Sequence, residues 1–206
     1  MVDKKHTALL VIDMQNDYCS SNGCLAKAGW DISPIQNVAP KVARLLLETR
    51  KSGTTVVHAR NVHSEWTDSQ ARKRKQAGRA GGVARLGTWG AEWFDEFEEL
   101  KPLKNEYVIN KHRFSAFINT DLDLILHARG IRTIVMAGAA TNVCVGSTAI
   151  DGYMNDYHVV FLRDCTATQD VDFEEPFLNH FDRYFGYVVN AEQVLKVWQV
   201  LESDVR

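Results

Sequence analysis

The stretch TIVMAGAATNVCVGSTAIDG, residues 133–152, decides how the chain is read. It opens with apolar, β-rich residues that do not alternate with polar ones, the pattern of a strand buried on both faces. Gly138, Ala139 and Ala140 follow, and Cys144 then stands where the next helix begins. A cysteine that only fills a core needs no such approach. A thiol that must ionise gains from the free N–H groups and positive end of a helix start.

The same alternation of apolar runs and helical patterns extends outward in both directions. TALLVID (7–13), TTVVHAR (54–60), EYVINK (106–111), HVVFLRDC (158–165) and FGYVVN (185–190) read as further strands. Helical spacing marks 38–53, closed by Gly53 as a C-cap, and 120–130, with Thr120 as N-cap and Gly130 as its stop. It also marks the segment after Thr141, 177–185 and 191–201, and AEWFDEFEEL (91–100) reads as a short amphipathic helix. Strands buried on both faces and separated by helices predict an α/β domain: a six-stranded parallel sheet with helices on both sides. One such domain spans residues 1–206.

Composition narrows the function. Of 206 residues, 24 are basic and 26 acidic, for a net charge of −2. That balance offers no field for nucleic acid or an anionic membrane. No apolar run approaches the roughly 18 residues of a membrane span, and the N-terminus runs directly into a strand pattern without signal-peptide design. Four cysteines, Cys19, Cys24, Cys144 and Cys165, do not make a disulfide framework, so reduced thiols and a cytoplasmic location are expected. The basic stretch 71–85 reads as a solvated surface loop, or else as a lid or subunit contact.

In parallel sheets functional groups gather at the carboxyl ends of strands, and Asp13, Asn61, Lys111 and Cys144 all stand there. Asp13, set beside apolar residues, is desolvated and suited to act as a general base, whereas Asp17 one turn on is the better structural cap. Lys111 near Asp13 and a thiol would hold the carboxylate and favour a thiolate. Arg113 suits either a surface role or an anionic substrate. Trp89 and Phe114 are candidates for pocket walls or core. His58 and His63 lack a carboxylate at ligand spacing and do not make a metal site, so no cofactor is expected. Cys165 reads as packing, and Ser115 has no evident base.

With those residues in place, ALLVIDMQNDY, KHRFSAFINTDLD and GAATNVCVGSTAIDGY resemble the isochorismatase-like cysteine hydrolases over essentially the whole chain. The resemblance implies an Asp13–Lys111–Cys144 triad and a thioester intermediate formed as an amide nitrogen leaves. It implies a non-proline cis peptide just before the cysteine loop. By position, the N–H groups of Ala140 and Cys144 would form the oxyanion hole. Cys144 argues against an isochorismatase proper, and the nicotinamidase metal pattern is not recognisable in ARNVHSEWTD. KHRFSAFINTDLD, HARGIRT, ATNVCVGST and RYFGYVV are most similar to the ureidoacrylate and biuret type, where an asparagine at the position of Asn61 lies in the substrate pocket. A small ureido or carbamoyl amide is therefore the expected substrate, and a dimer or tetramer the expected assembly. The alternatives are a nicotinamidase-like deamidase, an isochorismatase, and a redox or binding protein with Cys144 as sensor.

Overall fold

A computed structural model describes residues 2–76 and 84–203, and the side chains of residues 2–76 and 84–198. Its elements run β1 (Thr7–Ile12), α1 (Asn16–Cys19), α2 (Cys24–Lys27), α3 (Ser33–Ser52), β2 (Thr55–Asn61), α4 (Gln70–Gln76), β3 (Tyr107–Lys111) and α5 (Leu122–Ala128). They continue through β4 (Thr133–Ala139), α6 (Gly146–Met154), β5 (His158–Ala167), α7 (Glu174–Tyr184), β6 (Tyr187–Val189) and α8 (Ala191–Ser203). All six strands are parallel, in the order β3-β2-β1-β4-β5-β6.

Strand β1 shows why its sequence carries no polar alternation. Leu9 and Val11 pack with α3 and Trp198 on one face, while Ala8, Leu10 and Ile12 join Leu122, Leu126 and Ala149 on the other. Each large aliphatic side chain so buried contributes about 1.5–3 kcal/mol of transfer free energy. The chain leaves β1 for β2 on one side, and β4 flanks it on the other. The crevice between the carboxyl ends of β1 and β4 is thus the point where strand order reverses.

The expected fold class is observed, with several local differences; among the smaller, α7 begins at Glu174 and not at 177, and Asp121, not Thr120, is the N-cap residue of α5. Helix α3 begins at Ser33, not at 38, and carries Pro40 in its interior. The early start buries Ile35 completely alongside Val38, Ala39 and Val42. Residues 91–100 form no α-helix. Two short 3₁₀ turns bracket an extended strap in which Gln15 pairs antiparallel with Trp93 and Phe94 N–H donates to Met14 O at 2.9 Å. Finally, the basic stretch begins as helix α4 and not as a loop; residues 77–83 lie outside the described residues, and Ala84 is buried with Val62 and Ala91.

Candidate active site

Asp13 follows β1 directly, in the left-handed region at φ 53°, a conformation aspartate tolerates better than most residues. Its N–H donates to Ala59 O at 2.8 Å, the last rung between β1 and β2. Gly138 makes the neighbouring bend in β4 possible. At φ 118° a Cβ there would sit 2.0 Å from the Ile12 carbonyl oxygen, so only glycine fits. The peptide between Ala139 and Ala140 is cis, as the family resemblance implied.

Three sequence candidates converge in this crevice. Lys111 Nζ lies 2.8 Å from Asp13 Oδ2, and both side chains are almost wholly buried. Lys111 also donates to Arg113 O at 3.2 Å. The Cys144 thiol lies beside both Asp13 and Lys111, close enough for each of their charges to act on its ionisation, and is 8% exposed. Burial raises the Asp13 carboxyl above the ordinary carboxylate value against the pull of Lys111. Lys111 is raised in spite of its own burial, because Asp13 and the thiol favour its charged form.

Cys144 departs from expectation. A helix start and Lys111 were expected to lower its pKa, yet burial pushes the thiol up to about 12. Lys111 opposes that rise, and the nearby Asp13 charge adds to it. Nor does the cysteine open an α-helix. It lies in a wide turn, Thr141–Val145, where Val143 and Val145 N–H both donate to Ala140 O at 3.1 Å, and α6 starts only at Gly146. Burial thus favours the neutral thiol beside the Asp13–Lys111 pair.

Several residues that position this centre carried no signal in the sequence. Gln15 accepts from Asn61 N–H at 2.8 Å and donates to Asn61 O and Ala91 O, tying the end of β2 to the strap. Asn16 donates to Trp89 O and accepts from Asp95 N–H. Tyr18 accepts from Asn61 Nδ2 at 3.0 Å, and its burial, together with the nearby Asp13 charge, raises its pKa. Thr148 donates to Cys144 O and accepts from Ala116 N–H. Thr141 donates to Glu174 at 2.6 Å, fastening the cysteine turn to α7. The spacing rules that mark helices and strands do not register such contacts, since most span 30 to 80 positions of chain.

The remaining candidates are placed as follows. Asn61 is buried, with Oδ1 lacking a partner. Arg113 directs Nη1 to Thr67 O and His112 O. Trp89 and Phe114 are about half exposed and belong to no core, and Trp89 donates to Asp95 at 2.9 Å. Asp17 caps α2 by accepting from Cys24 N–H. Ser115 accepts from Phe117 N–H, and Cys165 is buried in the core. The histidines do have carboxylates, although not shared ones: His58 meets Glu106 and His63 meets Asp68, each at 2.9 Å. Arg72 can only donate, so His63 Nε2 accepts from it at 2.7 Å and Nδ1–H faces Asp68. Among the described residues, no group of three or more His, Cys, Asp or Glu side chains is arranged to hold a metal.

Residues 7–193 match the isochorismatase domain. The chain belongs to the isochorismatase family. It is 37% identical to the ureidoacrylate amidohydrolase RutB of Caulobacter vibrioides, over 91% of this chain and 88% of that protein. An N-carbamoylsarcosine amidase from Thermoplasma acidophilum superposes with a TM-score of 0.74 at 27% identity, covering 90% of this chain and 96% of its own. A cysteine hydrolase from Pseudomonas syringae pv. phaseolicola shares the fold at TM-score 0.84 and 24% identity, covering 96% and 94%. Among the described residues, no helix of this chain is long and apolar enough to cross a membrane.

Proposed function

We propose that this chain is a cofactor-free amidohydrolase that cleaves a small ureido or carbamoyl amide through a thioester on Cys144. The observation that carries the reading is the buried Asp13–Lys111 ion pair beside the Cys144 side chain. Similarity to a ureidoacrylate amidohydrolase and to an N-carbamoylsarcosine amidase supports the substrate class.

The chemistry follows from the protonation states. As sulfur attacks the carbonyl carbon, the thiol proton passes to Asp13, and the carbonyl π electrons move onto oxygen. The N–H groups of Ala140 and Cys144 would hold that oxyanion; those of Val143 and Val145 are already bonded to Ala140 O. Collapse breaks the C–N bond, and Asp13 returns its proton to the leaving nitrogen. Water, deprotonated by Asp13, then adds to the thioester; the S–C bond breaks and the thiolate regains a proton. Lys111 keeps the charge in the crevice balanced throughout. Asn61, Trp89, Arg113 and Phe114 would contact substrate, with Arg113 facing an anionic end.

We read residues 1–206 as a single domain working as a homo-oligomer. The exposed Tyr153, Met154 and Leu124 offer apolar surface for such contacts. Four free, buried thiols suit a reducing, cytoplasmic compartment.

The test is a panel of ureidoacrylate, biuret, N-carbamoylsarcosine, nicotinamide and isochorismate, with and without a chelator. A ureido or carbamoyl compound should be turned over best, chelation should change nothing, and Cys144→Ala should lose about 10⁴-fold in kcat with its fold intact. Near-normal turnover by that variant would sink the covalent mechanism. Preference for nicotinamide together with chelator sensitivity would sink the substrate class.

A further inference from the structure

Buried polar atoms normally find hydrogen-bond partners, so those that do not are informative. Besides Asp13, four of the buried side-chain oxygens without a partner are Thr7 Oγ1, Asn61 Oδ1, Asn142 Oδ1 and Gln169 Oε1. Thr7 opens β1, at the far end of the sheet from the crevice. The other three lie at or just beyond the carboxyl ends of β2, β4 and β5. All three are amide oxygens, which can only accept.

Strand register fixes their relation to the nucleophile. Ala139 pairs with Ala167 between β4 and β5, so Gln169 and Asn142 lie two and three residues beyond one matched pair. Asn142 is therefore part of the turn that carries Cys144, and Gln169 follows the end of the neighbouring strand. Asn61 pairs with Lys111 on the other side of β1, and its amide is held by Nδ2 donating to Tyr18, which leaves Oδ1 as the open group. Across the sheet the polarity is ordered. The cations Lys111 and Arg113 belong to the β3 side, and the acceptors Asn142 and Gln169 to the β5 side, with Asp13 and Cys144 between them.

We infer that Asn142 and Gln169 receive the N–H groups of the terminal ureido nitrogen, which orients a ureido acid with its carboxylate toward Arg113 and its –NH₂ toward the end of β5. The assignment rests on the amidohydrolase reading above and adds direction to it. Two buried acceptor oxygens without partners, on partly buried side chains, are costly unless a ligand supplies donors, and a terminal –NH₂ supplies two. A substrate lacking them leaves both oxygens unpaired, the situation in which sites discriminate strongly.

The experiment compares ureidoacrylate with its analogue dimethylated on the terminal nitrogen. In Gln169→Met, KM for the parent should rise about tenfold, and the preference for parent over analogue should shrink by about tenfold. Gln169→Glu, which keeps an acceptor, should hold that preference within about threefold of wild type. Asn142→Ala carries the same test should Gln169→Met fail to fold. Unchanged KM and preference in the variants would overturn the assignment, as would an equal loss of kcat on both compounds, which is what a merely structural role produces. Wild-type enzyme that turns over no ureido compound overturns the amidohydrolase reading as well; turnover with an unmoved preference overturns only the orientation.

Discussion

The two ends of the sheet hold the same ingredients arranged to opposite effect. At the amino end of β3, Glu106 takes two hydrogen bonds from Arg50, one from Leu103 N–H and one from the buried His58. At the carboxyl end, Asp13 has Lys111 and the thiol for company, and beyond these its oxygens have no well-formed hydrogen bond. Donors around Glu106 outweigh its desolvation and hold its carboxyl down at about 2, whereas Asp13 is raised. A carboxylate saturated with donors is a structural anchor. One left short of them, beside a proton, is equipped as a base.

Asp13→Asn should break the reactive end most severely. It keeps the shape and removes the proton acceptor, so kcat should fall about a thousandfold. Alkylation of Cys144 should slow with it, because the carboxylate takes the thiol proton during attack, an effect that outweighs relief of the rise its charge imposes on the thiol. Unaltered alkylation would show that the proton goes elsewhere and that the two carboxylates do not differ in role.

Glu106→Gln is the converse change. It should cost about 3 kcal/mol of stability in denaturant unfolding by leaving Arg50 and His58 without their charged partner, while kcat stays within about threefold. Loss of activity without loss of stability would mean that the amino-end cluster is not the anchor described.

How far this contrast could be read from sequence depends on chain distance. β1 with its terminal Asp13, and Cys144 after a run of small residues, are legible because burial and backbone constraint act locally. The fold class is legible for the same reason, since unbroken apolar strands between helices permit few architectures. Gln15 and Tyr18 are not, because both act on Asn61 more than 40 positions away. The 91–100 strap misleads because its apolar residues are spaced like a helix, yet Phe94 and Leu100 join the core beneath α3 from an extended segment that bridges to Gln15. The sign of the Cys144 shift is not legible either, because sequence reveals the Lys111 charge but not the depth of burial that outweighs it.

The smallest expected effect is on pH dependence, and it sharpens the comparison furthest. Glu106 has a folded pKa below its ordinary 4.5, so its stabilisation is present above 4.5 and lost as pH falls toward about 2. His63, lowered from 6.5 to about 4, is neutral in the fold; the unfolded chain gains a proton there first, and stability declines as pH falls from 6.5 toward 4. The proposed mechanism needs Asp13 ionised, and its raised pKa places the acid limb of kcat/KM above the ordinary carboxylate range. Denaturant unfolding of Glu106→Gln across this range should therefore show a flattened slope below about pH 4.5, with the decline between 6.5 and 4 retained and the acid limb of activity unmoved. A shifted acid limb in that variant would mean that the two carboxylates titrate as one system, and the division of the sheet into an anchored and a reactive end would fail.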